Sequence, residues 1–198
     1  MPATPATRPL LIVAAFAASL AAGLLFTLWM LGGLQKVTAP AAIGGPFQLV
    51  DQGGMTVTEQ SLKGKPTIVF FGFTHCPDVC PTALFDMSEV LRAMGKDGDR
   101  INAYFVSVDP ERDTVGKMKD YLSSFDPRLK GLTGDPASVE KIISGYRVYA
   151  KKVPLKDGDY TMDHTALIYL MDRDGKFVRP FDLKRKPEEA ATDLKRYL

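Results

Sequence analysis

The two cysteines of this chain lie within one ten-residue run, Gly72-Phe73-Thr74-His75-Cys76-Pro77-Asp78-Val79-Cys80-Pro81. Each is followed by proline, and His75, one of two histidines in the sequence, precedes the first. Pro81 has no backbone N–H to donate and so fits best in the first turn of a helix. That places Cys80 at or near an N-cap and Cys76 in the preceding turn. Unpaired backbone N–H groups and the helix dipole at such an end favour thiolate over thiol. Thiolates are both the nucleophiles of disulfide exchange and the ligands of soft metals. The run is suited to either.

The spacing helps to choose. Redox enzymes of the thioredoxin type usually have two residues between their cysteines; here there are three, Pro77, Asp78 and Val79. A wider loop can still close a disulfide, and it also lets two sulfurs converge on an ion. Two thiolates alone suit Cu(I), whereas Cu(II) or zinc wants nitrogen as well. The candidate nitrogen is His164, in Tyr160-Thr161-Met162-Asp163-His164-Thr165, just before the apolar run Ala166 to Met171. In a thioredoxin-like sandwich this loop faces the thiols and normally carries a cis-proline, but the nearest upstream proline is Pro154. Histidine in that place argues for a metal over a substrate disulfide.

Plainer readings compete. Two lone cysteines can form a structural disulfide, and a histidine before a strand is usually a surface or capping residue. His75 would complete a Cys2His2 zinc set, but neighbouring side chains diverge, which leaves His75 a structural residue. Asp163 either orients His164 or accepts backbone hydrogen bonds. Asp109-Pro110-Glu111-Arg112-Asp113-Thr114 reads most simply as a strand stop and helix cap.

The elements that must position these groups follow from periodicity. Phe47–Val50 and Met55–Val57 flank a glycine-bearing turn and read as a hairpin. Thr67–Phe73 is continuously apolar, as in a central strand buried on both faces. A helix after Pro81 carries Leu84, Met87, Leu91 and Met94 at helical spacing, and Gly95 closes it. Ala103–Val108 is a second buried strand. Thr114–Phe125 has a helical stripe, and Asp135 and Pro136 open a third helix. Ala166–Met171 and Lys176–Val178 are strands across a turn, and Pro187 opens a final helix. The fold class expected is α/β, a thioredoxin-like sandwich with a central mixed sheet, flanking helices and an N-terminal hairpin.

Ahead of it, Leu10 to Leu34 contains no charge over 25 residues. At about 1.5 Å per residue it is long enough for a bilayer core of about 30 Å, and too long for the apolar part of a secretory signal. The domains expected are therefore a tail at 1–9, a transmembrane anchor at 10–34, a linker at 35–46 and one folded domain at 47–198. Arg8 and Lys36 flank the anchor symmetrically and set no orientation. The short tail has no room for an Arg-rich transit peptide, which points to a bacterial inner membrane. All 23 acidic residues and 23 of the 25 basic ones follow Pro46. The folded part is formally neutral, without a basic stripe, and nucleic-acid binding is set aside.

Several segments together resemble one family. GFTHCPDVCP from Gly72, VDPERDT from Val108, GLTG from Gly131, YRVY from Tyr146 and DYTMDH from Asp159 occur in the order and spacing of the Sco/SenC proteins. The resemblance runs from about Phe47 to the C-terminus. It implies a membrane-tethered, thioredoxin-fold copper protein that assists assembly of cytochrome c oxidase, in particular its CuA centre. The family's ligands fall on Cys76, Cys80 and His164. In some relatives the same cysteines act as a redox pair that reduces the oxidase subunit's thiols. The partners implied are the CuA-bearing subunit of the oxidase and a copper donor protein, with the folded domain in the periplasm. Two functions thus stand side by side: a copper metallochaperone, and a thiol–disulfide reductase for which Cys76 and Cys80 suffice.

Overall fold

The computed structural model describes residues 7–34, 42–156 and 158–198. These form two compact units, one ending at Ala41 and one from Ala42 to Leu198. The described residues of the first form one helix, α1 (Thr7–Leu34). Leu11–Met30 within it is long and apolar enough to cross a membrane, and its side chains are exposed. Most of the expected 1–9 tail and the first seven positions of the 35–46 linker lie outside the described residues.

In the second unit a seven-stranded mixed sheet holds the core. Its strands are β1 (Gln48–Asp51), β2 (Thr56–Thr58), β3 (Thr67–Gly72), β4 (Asn102–Ser107), β5 (Leu129–Thr133), β8 (Ile168–Met171) and β9 (Phe177–Phe181), in the order β2-β1-β5-β4-β3-β8-β9. Strands β3, β4 and β5 run parallel, while β8 pairs antiparallel with β3. Every residue of β3 is buried, as an unbroken apolar run in a central strand requires. The helices are α2 (Val79–Met94), α3 (Val115–Leu122), α4 (Pro136–Gly145) and α5 (Pro187–Lys195). α2 packs against α5, α3 against β5, and α4 against β1.

Two features depart from the expected element order. Leu129–Thr133 is a strand; its Lys130 and Gly131 break the apolar pattern, and burial against α3 supplies what the pattern lacks. The approach to His164 is also ordered: β6 (Ala150–Pro154) and β7 (Tyr160–His164) form a separate two-stranded sheet. α3 stops at Leu122, short of the expected Phe125. The N-caps of α3 and α4 are Thr114 and Asp135, each accepting a backbone N–H within the first turn.

Candidate metal centre

Strand β3 ends at Gly72, and the chain then turns through His75 and Cys76 into α2, whose N-cap is Asp78. Cys80 is therefore the second residue of the helix and Pro81 the third, both within its first turn. Cys76 sits just ahead, and its Sγ accepts the Cys80 backbone N–H at 3.4 Å. One orphan amide of the helix start is thus spent on a sulfur. Both cysteines are free thiols; Cys80 is fully buried and Cys76 partly so.

The space for the Cys80 sulfur is made by Gly72. A Cβ on Gly72 would lie 2.7 Å from Cys80 Sγ and 2.8 Å from Phe105 Cε2. The signal was present in the sequence, since β3 runs through Ile68, Val69, Phe70 and Phe71 and then ends on the one residue without a side chain.

His164 arrives from the other end of the chain. Its Nε2 lies 3.6 Å from Cys80 Sγ, across 84 residues of sequence. The ligand atoms of Cys76, Cys80 and His164 all fall within 4.8 Å of one another, the one such group among the described residues. On the other side of the ring Nδ1 is 3.2 Å from the Thr165 carbonyl. A carbonyl can only accept, so Nδ1 carries the proton and the Nε2 lone pair faces the thiols. The ring stands edge-on to Phe73, with centroids 5.7 Å apart, and near Phe70 at 6.3 Å.

Several sequence expectations shift here. The helix end was expected to favour the thiolate of Cys80. Burial prevails instead, pushing that thiol well above its ordinary value near 9. Burial also lowers the His164 pKa below 6.5, although its bond to Thr165 opposes the shift. The imidazole is therefore neutral at neutral pH, the form that ligates metals. Thr165 rather than Asp163 orients the ring, since its carbonyl bonds Nδ1 while Asp163 is exposed. His75 turns away: its Nδ1 bonds the Thr74 hydroxyl at 3.1 Å and lies 4.0 Å from Asp113, outside the thiol cluster.

The segment Asp109–Thr114 does more than stop a strand. Asp113, fully buried, accepts the Thr74 N–H at 3.1 Å, the Thr74 hydroxyl at 2.6 Å and the Ser107 hydroxyl at 2.7 Å. It thereby fixes the turn that leads to Cys76. Even so, burial holds the Asp113 carboxyl above the ordinary carboxylate range. Asp109 and Arg112 reach the other way, to Tyr160 at the start of β7. The periodicity that identified elements carried no sign of these roles, because they act through loops rather than faces.

A neutral imidazole and two sulfurs, gathered beside the Phe70 and Phe73 rings, make a soft three-donor set. Such a set fits copper in either oxidation state: the sulfurs suit Cu(I), and the nitrogen adds what Cu(II) wants. Holding an ion there requires the thiols to give up their protons.

The SCO1/SenC family model matches residues 35–198. The copper-bound structure of ScoI from Bradyrhizobium japonicum is 77% identical, with a TM-score of 0.78, covering 79% of this chain and 100% of its own. The mitochondrial SCO1 homolog 1 of Arabidopsis thaliana is 44% identical over 154 residues, 77% of this chain. This chain spans about half of that relative's length, 46%. BsSco, a member of the Sco family of cytochrome c oxidase assembly proteins for which a disulfide switch was identified, shares the fold at 23% identity. Its TM-score is 0.62, over 80% of this chain and 94% of its own.

Proposed function

This chain belongs to the SCO1/SenC family, and from that premise we propose that it is a membrane-anchored copper metallochaperone assisting assembly of the CuA centre of cytochrome c oxidase. In this reading one copper is the cargo and Cys76, Cys80 and His164 are its ligands. The observation that carries it is the convergence of two sulfurs and a neutral imidazole nitrogen within 4.8 Å, from ends of the fold 84 residues apart. Residues 47–198 form the copper-binding domain, 35–46 the linker and 10–34 the anchor. The membrane is a bacterial inner membrane crossed once, with the domain in the periplasm. A donor protein loads the site, and the CuA-bearing subunit receives the ion. Cys76 is partly exposed while Cys80 is sealed, so the exchange of ligands with a partner would begin at Cys76.

A titration of the reduced full-length chain in detergent with Cu(I) and Cu(II), without oxygen, tests this. About one copper per chain is expected, and Cys76→Ala should abolish tight binding. Absence of binding, or binding indifferent to Cys76→Ala, refutes it. A reporter fusion that places the C-terminus in the cytoplasm would overturn the topology.

A second reading is favoured by one observation, the free thiol pair with Cys76 Sγ at a helix start. As a thiol–disulfide reductase the protein would reduce the cysteines of the oxidase subunit. The two readings part at His164. His164→Ala should weaken Cu(II) binding yet leave disulfide reduction intact, and failure to reduce a CuA-domain disulfide would remove the second reading.

A further inference from the structure

His164 closes β7, and β7 pairs with β6 in a sheet that shares no strand with the seven-stranded one. Cys76 and Cys80 hang from β3, at the centre of the main sheet. The register of the main sheet reaches the hairpin only through β8, whose Ile168, four residues after His164, pairs with Phe70. Apolar contacts with Phe70 and Phe73 surround the imidazole, but they are not directional. At the base of the hairpin, Thr165 N–H donates to the Tyr149 carbonyl and Tyr149 N–H to Thr165 Oγ1. Those bonds close the hairpin on itself. They do not tie it to the thiols.

Directional links run from this hairpin to the loop Asp109–Thr114: Lys152 Nζ donates to Glu111 Oε2 at 2.7 Å at the exposed surface, and the part-buried link is at Tyr160. Arg112 Nη1 donates to the Tyr160 carbonyl at 2.9 Å, and its guanidinium carbon lies 3.7 Å from the centre of the Tyr160 ring. Arg112 Nε donates to Asp109 Oδ2 at 2.6 Å, and the Tyr160 hydroxyl donates to Asp109 Oδ1 at 2.9 Å. Asp109 is buried, so this pair acts in a medium of low dielectric. Arg112 Nη2 is buried without a hydrogen-bond partner among the described residues. The next residue, Asp113, grips the Thr74 turn that carries the cysteines. Neighbours in sequence thus hold opposite halves of the site.

We infer that Arg112 is a positioning residue: by clamping Tyr160 to the loop that anchors the cysteine turn, it sets the His164 nitrogen over the two sulfurs. Removing it frees the hairpin and leaves the thiol pair where it is. Lysine cannot replace it, because one ammonium cannot reach Asp109 and the Tyr160 carbonyl in two directions while stacking on the ring.

The inference rests on the copper reading above, and the test separates the two. Full-length Arg112→Gln and Arg112→Lys chains in detergent are compared with the unaltered chain by three measurements. These are nitrogen hyperfine coupling in the Cu(II) spin resonance spectrum, Cu(I) and Cu(II) affinities, and amide hydrogen exchange of the metal-free protein. Both variants should lose nitrogen coupling and about 10–100-fold in Cu(II) affinity, the usual loss when a group supporting a ligand is removed. Cu(I) affinity should hold, and exchange should quicken in β7 but not in α2. Should either variant fail to fold, Tyr160→Leu removes the ring under the guanidinium and should give the same pattern, weaker. Variants that keep nitrogen coupling and Cu(II) affinity overturn the clamp, as does an equal loss of Cu(I) and Cu(II) affinity. Absence of nitrogen coupling in the unaltered chain would instead overturn the copper site itself.

Discussion

Gly72→Ala is the smallest change that should dismantle the thiol half of the site. The added carbon would lie 2.7 Å from Cys80 Sγ, 2.8 Å from Phe105 Cε2 and 3.3 Å from Phe70 Cε1. Heavy atoms of this kind rest about 3.5–4.0 Å apart, so the sulfur must retreat by about 1 Å or the rings must move. Phe70 and Phe105 are fully buried and stacked, with centroids 6.0 Å apart, and have nowhere to go. The sulfur is the mobile partner, and His164 Nε2 already stands 3.6 Å away on another side. The position has no left-handed backbone, since Gly72 is absent from the positive-φ glycines, so the cost is steric alone. Overpacking of this kind costs about 1–3 kcal/mol, or roughly 2–12 °C in Tm for a unit of this size. A shift of about 1 Å far exceeds the 0.2 Å tolerance of a metal–ligand distance, so copper affinity should fall about tenfold or more. Calorimetric unfolding of the metal-free chain and competitive copper titration measure the two effects. Unchanged Tm together with unchanged affinity would refute the packing argument, because it would mean that the sulfur has free space the structure does not contain.

Copper affinity should weaken as pH falls from 8 to 6. Burial holds the Cys80 thiol protonated in the metal-free protein, and each proton displaced by copper changes affinity about tenfold per pH unit. His164, lowered by burial, competes only below its ordinary value of 6.5; an affinity independent of pH over this range would contradict the assignment of Cys80 as a ligand. Away from the site, buried Asp126 is paired with Arg128 at 2.8 Å, which holds its carboxyl below the ordinary 3.8. That stabilisation is complete above 3.8 and is lost as pH falls through the lower folded value. Asp126→Asn should therefore cost about 1.5–3 kcal/mol at pH 7 by denaturant unfolding, with a gap to the unaltered chain that closes in acid. A gap constant down to pH 2 would show that the charge is not what stabilises.

What the sequence disclosed follows the physics of each element. β3 and β4 were legible because a strand buried on both faces needs an apolar run, and Ile68–Phe71 and Ala103–Val106 supply it. α2 and α4 were legible from their stripes, α4 also from Asp135 and Pro136 at its start. β5 was not, because Lys130 is exposed and Gly131 leaves room for Leu122 and Met118, so its strand character comes from neighbours. The β6–β7 hairpin was not legible either, as it is only half-buried and shows no alternation of burial strong enough to read. The three residues that the structure brings together were nonetheless identifiable. Cys76 and Cys80 announce themselves by type and spacing, and His164 by standing where a redox relative needs proline.

The divided origin of the site bears on how it works. The sulfurs are built into the rigid part of the fold, on a turn between its central strand and α2, with Cys80 sealed under Gly72 and the Phe105 ring. The nitrogen is on a hairpin outside the main sheet, held by loop contacts that are polar and partly exposed. Local opening takes place first where buried apolar contacts are few, so the hairpin should open before the thiol turn does. A carrier must bind its cargo tightly in transit and release it to a partner, and those demands conflict in a uniformly rigid cage. On the copper reading they would fall to different elements: the sulfurs would retain the ion, and the histidine could leave without unfolding anything in the core. A partner that engages the hairpin would thus weaken the site by one ligand at the moment of contact, with Cys76 partly exposed to receive the exchange.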